Sequence, residues 1–308
     1  MSSTHLRIIF TLLSTPLGNA LTATAGALPR RGVHGPPPRV DGLEVGSQRL
    51  SGSRECALTG ERVDFEVVRR ASRPDCFQIG GLVSRAECDY LIAAADAIGM
   101  EQATTAGGEQ TDDGRRGCGV AWLPVDSDAV AASLCGALEQ LFVHPTVLGH
   151  PGWASGGRWE NMQCLWYSAG GEYLPHYDAD ARMPRVLTVL LYLNGKGETW
   201  FPLATSLARH DARDAPAHPR ATPPRPQATL AAAVNGQLDA SLDGLVLRPS
   251  KGDAVAFYNL LGTTLADGSR QIDHRSLHAG LPASVEKRVA TLWYSLDLHS
   301  DGPQPAEH

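Results

Sequence analysis

Lysine is scarce in this 308-residue sequence, since only three of its 27 basic residues are lysine. We interpret the imbalance as compositional, so each arginine needs a positional argument of its own. The six cysteines include no Cys-x-x-Cys pair, which argues against a cysteine-ligated zinc site or a dithiol redox site. Their even number is compatible both with disulfides and with buried free thiols. A net charge of −6 argues against nucleic acid as a partner.

Acidic residues are absent from the first 40 positions. Arg7 precedes the apolar run "IIFTLLSTPLG" and then the small residues "NALTATAGA", an order typical of a secretory signal peptide. The apolar run is too short, and too interrupted by Pro16, to span a bilayer in the mature protein. We therefore interpret residues 1–55 as a leader and disordered linker, and expect a location in the endoplasmic reticulum lumen or outside the cell. An organelle transit peptide shares the lack of acids and is the alternative.

Two helices are expected in the first half of the chain. Ser84 and Glu87 make a Ser-x-x-Glu capping box, after which apolar residues recur at helical spacing as far as Gly99. A second amphipathic pattern runs from about 127 to 142. Both helices are expected to pack against a sheet, the first through Cys88, Leu91, Ile92, Ala95 and Ile98.

Short strand-like runs dominate the rest of residues 56–300 and favour one mainly β domain of the α+β type, a sandwich or jelly roll with supporting N-terminal helices. A Pro-rich stretch at about 204–242 is interpreted as a mobile insertion over the mouth of the barrel, and residues 301–308 as a disordered tail. The runs that predict strands are "ERVDFEVVRR", "DCFQIGGL", "MQCLWY", "RVLTVLLYLN", "ETWF", "GLVLRP", "DAVAFYNL" and "RVATLWYSL".

His176 and Asp178 stand two residues apart in a stretch with strand character. Residues i and i+2 of a strand face the same side, so an imidazole and a carboxylate could bind one metal ion together. The spacing alone is weak evidence, because His299 and Asp301 repeat it in the polar tail.

A second cluster, "DHRSLHAGLPASVEKRVATLWY", adds a distant histidine at His278 and a cation ten residues later at Arg288. Two histidines and one carboxylate form the facial triad of non-haem iron(II) oxygenases, which leaves metal positions open for a co-substrate and oxygen. His274, four residues earlier, is the competing distal ligand.

Residues 75–297 resemble the 2-oxoglutarate- and iron(II)-dependent dioxygenases, in particular the catalytic domain of prolyl 4-hydroxylase alpha subunits. The resemblance implies a double-stranded β-helix with His176, Asp178 and His278 as iron ligands. It also implies conversion of 2-oxoglutarate and O₂ to succinate and CO₂, with L-ascorbate as a reductant. It depends on four blocks in the family's order: "CLWYSAGGEYLPHYDAD", "VLLYLNGKGETWFP", "LRPSKGDAVAFYN" and "SLHAGLP".

The distal carboxylate of 2-oxoglutarate would be buried, where an unpaired charge is costly, and Arg288 could meet it with two parallel hydrogen bonds. Strand alternation then places Lys287 on the opposite face. Tyr167 and Thr199 match family positions that contribute to this site. Prolyl 4-hydroxylases of animals and algae usually carry lysine where Arg288 is expected to act, whereas lysyl hydroxylases carry arginine.

The resemblance predicts a peptide or protein substrate, Pro-rich and hydroxylated at proline, with a lysyl or other hydroxylase of the same superfamily as the alternative. Tyr173 and Arg185 match peptide-contacting positions, and Tyr294 stands where tryptophan is common. A zinc hydrolase would have no use for a buried cation, and a silent jelly-roll binding module would not need the full ligand set. The oligomeric state is open.

Overall fold

The computed structural model describes residue 40 and residues 43–102, 118–143, 157–179, 184–204, 244–264 and 270–296. Within these ranges the chain forms two α-helices, α1 (Arg85–Ile98) and α2 (Ala129–Leu138). The strands are β1 (Arg49–Glu55), β2 (Arg62–Ser72), β3 (Asp75–Gly80), β4 (Glu101–Gln102), β5 (Cys118–Leu123), β6 (Gly157–Trp159), β7 (Met162–Tyr167), β8 (Tyr173–His176), β9 (Arg185–Tyr192), β10 (Glu198–Phe201), β11 (Leu245–Leu247), β12 (Ala254–Tyr258), β13 (Leu260–Thr264), β14 (Arg270–Ile272), β15 (His278–Leu281) and β16 (Lys287–Leu296).

Most strands belong to two antiparallel sheets. The large sheet has the order β1-β2-β3-β12-β9-β16-β7-β5-β4, with β6 also pairing with β16, and the small sheet has the order β11-β10-β15-β8. Strands β13 and β14 form a separate pair. Consecutive strands alternate between the sheets from β7 to β10, and the chain returns to the large sheet at β12 after the β10–β11 hairpin of the small sheet. This arrangement confirms the predicted mainly β jelly-roll fold.

Two apolar layers stabilise the large sheet. On one face, α1 and α2 cover the sheet and share a large buried cluster with it. On the other face, Phe201 of β10 packs against Phe257 of β12, with ring centroids 5.0 Å apart, in a smaller cluster between the sheets. Sheet-on-sheet packing of this kind leaves β9, β12 and β16 buried on both faces.

Helix α1 begins and ends as predicted. Ser84 caps its first turn and Glu87 returns the hydrogen bond, so the capping box is complete. Gly99, with φ of 95°, follows its last residue. Ile98 departs from the predicted buried face, because it lies at the helix end and is 55% exposed.

Helix α2 occupies the middle of the predicted range of 127 to 142. The Asp128 carboxylate caps it by accepting hydrogen bonds from the Val130 and Ala131 amides. Past Leu138 the chain continues as a π-helical turn, Glu139–Val143.

The predicted leader and linker of residues 1–55 extends too far along the chain. Residues 49–55 form β1, which pairs along its whole length with β2. Arg54 of β1 is fully buried, and its guanidinium binds the buried Glu87 carboxylate through two nitrogens. The ordered domain therefore begins before residue 56. Sequence patterning missed β1 because its composition, "RLSGSRE", is polar.

All six cysteines fall inside the described ranges, where each is a buried free thiol rather than half of a disulfide. None of the helices described is long and apolar enough to cross a membrane. Three predictions concern residues outside the description: the leader before residue 40, the Pro-rich insertion beyond residue 204, and the tail at 301–308.

Candidate active site

The structure brings His176, Asp178 and His278 together. β8 ends at His176 and β15 begins at His278, and these two residues are directly paired across neighbouring strands of the small sheet. Asp178 lies just past the end of β8, with its carboxylate oxygens 3.6 Å from His176 Nε2 and 3.5 Å from His278 Nε2. One ligand atom from each residue lies within 4.8 Å of the others. The grouping predicted from the sequence is therefore present in space.

His274, the competing distal histidine, is outside this cluster. It lies in a 3₁₀ turn, His274–Ser276, and its ring meets the edge of Tyr177 at a centroid distance of 6.1 Å. The choice of His278 over His274 agrees with this geometry.

Both histidines are oriented by main-chain carbonyls. His176 Nδ1 is 2.7 Å from the Leu174 carbonyl oxygen, and His278 Nδ1 is 2.9 Å from that of Ser276. A carbonyl only accepts, so each Nδ1 carries the proton and each Nε2 keeps its lone pair toward Asp178. Two neutral imidazole nitrogens and one carboxylate oxygen are the donor set of a non-haem iron(II) site, so these residues fit ferrous iron.

The electrostatics of the cluster favour metal binding. Burial opposes ionisation of Asp178, but the field of His278, the neighbouring His176 and a hydrogen bond from Thr188 together hold the pKa of this carboxyl well below its usual range. Burial lowers the pKa of His278 to about 4. At neutral pH the carboxylate is therefore charged and the imidazole is neutral, which are the forms that bind a metal ion.

The ligands open into a pocket whose wall is built by three adjacent strands of the large sheet, β7, β9 and β16. Alternate residues of a strand share a face, so each strand contributes every second side chain. The space between the walls of the pocket, counted together with the open mouth, is about 440 Å³. Its lining residues are Gln163, Leu165, Tyr167, Tyr173, His176, Asp178, Leu190, Tyr192, Thr199, His278, Gly280, Lys287, Val289, Thr291 and Trp293.

The cation in this pocket is Lys287, so the prediction that Arg288 points inward is wrong. Arg288 lies on the opposite face of β16, where its guanidinium binds Asp96 at 2.6 Å and Glu286 at 2.7 Å. Lys287 is 4% exposed and directly opposite Tyr167, the ring of which lies 5.3 Å from its ammonium nitrogen. Burial lowers the pKa of Lys287 to about 8.

Lys287 has no carboxylate within 4.0 Å of its ammonium group among the described residues, and Glu198, which pairs with Arg248, acts on its charge only from farther away. Its stem passes Gly197, where φ is +81° and where an added Cβ would overlap Lys287 Cδ. A glycine is therefore required beside the lysine both for backbone conformation and for space.

The same one-residue shift applies to the predicted substrate contact at Tyr294. Tyr294 faces the helices and packs edge-on against Trp159, with ring centroids 5.3 Å apart, while Trp293 lines the pocket. The guanidinium of Arg185 lies 3.8 Å from the Trp293 ring and is held by Glu160 through two nitrogens, at 2.8 and 2.7 Å.

The other predicted residues, Tyr167, Thr199 and Tyr173, line the pocket. Tyr173 stacks on the ring of His176, with centroids 3.7 Å apart. Sequence reasoning missed Tyr192, which is fully buried and shares a hydrogen bond with Thr199. The available signal was spacing, because Tyr192 follows Leu190 and Thr188 on one face of the predicted strand "RVLTVLLYLN".

Comparison with known proteins agrees with this site. Residues 162–295 match the 2OG-Fe(II) oxygenase superfamily. Prolyl 4-hydroxylase 2 of Arabidopsis thaliana is 26% identical over 247 residues, covering 75% of this chain and 71% of that protein. Prolyl 4-hydroxylase 13 of the same plant is 32% identical over 147 residues, covering 44% and 42%. A solved structure of viral collagen prolyl hydroxylase from Paramecium bursaria Chlorella virus-1, in complex with 2-oxoglutarate, has a TM-score of 0.47 and 22% identity over 72% of this chain and 96% of that one.

The jelly-roll fold, the triad and the match of residues 162–295 to the 2OG-Fe(II) oxygenase model together support a 2-oxoglutarate-dependent dioxygenase. The relatives to which the chain is similar over most of its length are prolyl 4-hydroxylases, at 26% identity for the first of them.

Proposed function

We propose that this enzyme hydroxylates prolyl residues of a peptide or protein substrate. The observation that carries the proposal is a buried ammonium group, Lys287, which has no ion-pair partner among the described residues and faces the same pocket as the metal-ligand triad. An unpaired buried charge is costly, so its presence points to a ligand that brings the opposite charge.

The triad would hold ferrous iron through His176 Nε2, His278 Nε2 and the Asp178 carboxylate. Iron bound there supplies the oxygen activation by which 2-oxoglutarate, O₂ and a substrate C–H group yield succinate, CO₂ and a C–OH group. The contribution of the chain is to place the reactants and to keep water away from them.

The co-substrate is proposed to lie between the triad and Lys287, with its distal carboxylate on the ammonium group. The hydroxyl groups of Tyr167, Tyr192 and Thr199 line the same region, where they could satisfy the remaining carboxylate lone pairs. Leu165 provides apolar wall for the methylene groups.

Proline is favoured over lysine as the substrate residue by the charges of the pocket. The only carboxylate among the lining residues is Asp178, which is a proposed metal ligand, and the only fixed cation is Lys287. A substrate ammonium group would therefore meet no free acid and would be repelled, whereas an uncharged proline ring would not. The pocket lysine also matches the residue usual in prolyl 4-hydroxylases.

The peptide is proposed to cross the pocket mouth beside Trp293 and Tyr173. Trp122 extends the aromatic surface, because its ring lies 6.1 Å from that of Trp293 and it is 43% exposed. Aromatic surfaces of this kind suit proline-rich segments, which are extended before binding. Arg185, held against Trp293, is placed as a positioning residue for this surface.

Mass spectrometry of test peptides would test the proposal. We expect the purified enzyme with iron(II) and 2-oxoglutarate to add one oxygen atom to proline in Pro-rich peptides and to release an equal amount of succinate. Lys-containing peptides without proline should stay unmodified. An Asp178→Ala variant is the matched control and should lose both products. Hydroxylation of lysine in preference to proline would contradict the proposal.

A cellular location and a reductant complete the proposal. The acid-free first 40 residues support a location in the secretory pathway, which N-terminal sequencing of the mature protein would test. L-ascorbate is proposed to restore iron oxidised in unproductive turnovers. Omitting it should shorten the linear phase of succinate release without changing the initial rate.

A further inference from the structure

A buried hydrogen-bonded chain lies behind Asp178, outside the lining of the pocket. Asn259 Nδ2 donates to Thr188 Oγ1 at 2.8 Å, and Thr188 Oγ1 donates to Asp178 Oδ2 at 2.7 Å. Thr188 and Asn259 are both 0% exposed. Neither of them can touch a substrate, and both can influence the carboxylate.

The direction of these two hydrogen bonds is fixed by the charged carboxylate of Asp178. An ionised carboxylate only accepts hydrogen bonds, so the single hydroxyl proton of Thr188 must point to Asp178. Thr188 can then only accept from Asn259, which must present its NH₂ group. The Asn259 oxygen Oδ1 is buried and has no hydrogen-bond partner among the described residues. The amide therefore leaves one acceptor unsatisfied while it supports Thr188.

Asn259 also contacts the segment that orients the metal ligand His278. It directly follows β12, and its main-chain carbonyl accepts from the Asp273 amide at 2.8 Å. The Asp273 side chain accepts from the Arg275 amide and so caps the 3₁₀ turn. The last residue of that turn, Ser276, provides the carbonyl that orients His278. Asn259 therefore acts on two metal ligands. Its main chain holds the turn that orients His278, and its side chain holds Thr188, which donates to Asp178.

Packing does not require a hydroxyl group at position 188. Thr188 lies on β9 between the fully buried Leu187 and Val189, and valine has almost the same shape as threonine. A buried hydroxyl is costly unless it is hydrogen-bonded, and both bonds of this one lie on the path from Asn259 to Asp178.

We infer that Thr188 and Asn259 are positioning residues that set the orientation of the Asp178 carboxylate before the metal ion binds. The hydrogen bond that the Thr188 hydroxyl donates to Oδ2 holds the plane of the carboxylate, so Asp178 does not need to be ordered when the metal arrives. Groups behind metal ligands typically change metal affinity by about 10- to 100-fold. The inference rests on the proposed function only through the identity of the three metal ligands.

Binding of Mn(II), followed by the electron paramagnetic resonance signal of the free ion, tests this inference without catalysis. Thr188→Val should weaken Mn(II) binding by roughly 10- to 100-fold, and Thr188→Ser, which restores the donor, should bring the affinity back to within about threefold of wild type. Asn259→Leu should weaken binding by several-fold, because the hydroxyl is then free to turn. In a Thr188→Val background, Asn259→Leu should cause no further loss if the amide acts through the hydroxyl.

Ser133→Ala is the matched control, because it removes a buried hydroxyl without a described partner from α2, which contributes no residue to the lining of the pocket. Its Mn(II) affinity should equal that of wild type. Unchanged Mn(II) affinity in Thr188→Val and Asn259→Leu, with cooperative melting of both, would overturn the positioning role even if their melting temperatures fell. Failure of the wild type to bind Mn(II) would instead overturn the proposed function and its metal site.

Discussion

The two faces of β16 carry adjacent basic residues with opposite electrostatic surroundings. Lys287 is buried against Tyr167 and Tyr192 with no carboxylate within ion-pairing distance in the described chain. Arg288 binds Asp96 of α1 and Glu286 at the surface. The arginine has its charge compensated by two directly paired carboxylates, whereas the nearest influence of opposite charge on the lysine is the more distant Glu198. A cation with its partner already present serves the structure, and a buried cation without one points to a ligand.

Replacing Lys287 or Arg288 by an uncharged residue is expected to give the largest difference between the two faces of β16. Lys287→Met should raise the dissociation constant for 2-oxoglutarate by roughly 100-fold, because the distal carboxylate is left buried without a partner. It should also raise the free energy of unfolding of the ligand-free protein by about 1 kcal/mol or more at pH 7, since an uncompensated buried charge is gone. Anaerobic titration of the iron(II) protein and thermal melting measure the two effects.

Arg288→Met is the matched variant on the other face. It should leave 2-oxoglutarate binding within twofold of wild type and lower the free energy of unfolding by less than about 1 kcal/mol, as expected for surface ion pairs. Equal losses of 2-oxoglutarate binding in the two variants would remove the functional distinction between the faces.

Raising the pH should also distinguish Lys287 from Arg288, because only the lysine loses its charge in the accessible range. The pKa of Lys287 is lowered to about 8 by burial, so the ligand-free protein loses this charge above pH 8. The dissociation constant for 2-oxoglutarate should therefore rise roughly tenfold between pH 7 and pH 9. Arg288→Met should show the same profile as wild type.

Raising the pH should weaken 2-oxoglutarate binding but increase the stability of the ligand-free protein, and both effects come from Lys287. Between pH 8 and the unfolded pKa of 10.5 the unfolded chain binds more protons than the folded one, so the free energy of unfolding rises with pH in that window. The cost of the buried ammonium group is fully present below pH 8. Lys287→Met should lack this rise, and a rise that persists in the variant would show that another group causes it.

The smallest effects are expected at the mouth of the pocket. Trp293→Ala should raise the KM for a Pro-rich peptide by roughly fivefold, since an aromatic contact is worth on the order of 1 kcal/mol, and should leave the KM for 2-oxoglutarate unchanged. Tyr294→Phe, on the back face, should leave both constants unchanged and cost at most about 1 kcal/mol of stability. Steady-state kinetics with each substrate varied in turn would separate the two. A higher peptide KM in Tyr294→Phe would place the substrate contact where the sequence had predicted it.

Linear spacing was sufficient for the helices, whereas the metal ligands also required the family resemblance. His176 and Asp178 share their spacing with His299 and Asp301, and only the resemblance selected the first pair and added the distant His278, which the small sheet pairs with His176. The capping box of α1 is a local motif, because Ser84 and Glu87 satisfy each other within one turn. Features of this kind are encoded by neighbours in the sequence and need little knowledge of tertiary structure.

The sequence prediction assigned the side chains of β16 to the wrong faces by a shift of one residue. A one-residue slip transfers every side chain of a strand to the other face. β16 is central and buried on both faces, so it lacks the alternation of apolar and polar residues that would have fixed its orientation. A weaker signal was present, because Lys287 and Thr291 share one face whereas Ala290 and Leu292 share the other. Two polar residues at even spacing in a buried strand indicate the side that lines a cavity.

Other features depend on contacts that no local pattern contains. Asn259 and Thr188 are 71 positions apart, and each alone resembles an ordinary buried polar residue. Arg54 and Glu87, 33 positions apart, meet only after β1 has joined the sheet edge beside α1. The polar sequence of β1 gave no indication of burial, so the predicted domain boundary lay several residues too late.

The Arg54 and Glu87 pair also limits how far the N-terminal region can be shortened. A chain trimmed to residue 56 would lose β1 and leave the Glu87 carboxylate in an apolar interior with only amide donors and no cation. Removing one member of a buried pair typically costs about 3–5 kcal/mol, a large share of the stability of a domain. Any cleavage or truncation of the chain that preserves the catalytic fold must therefore fall upstream of Arg49.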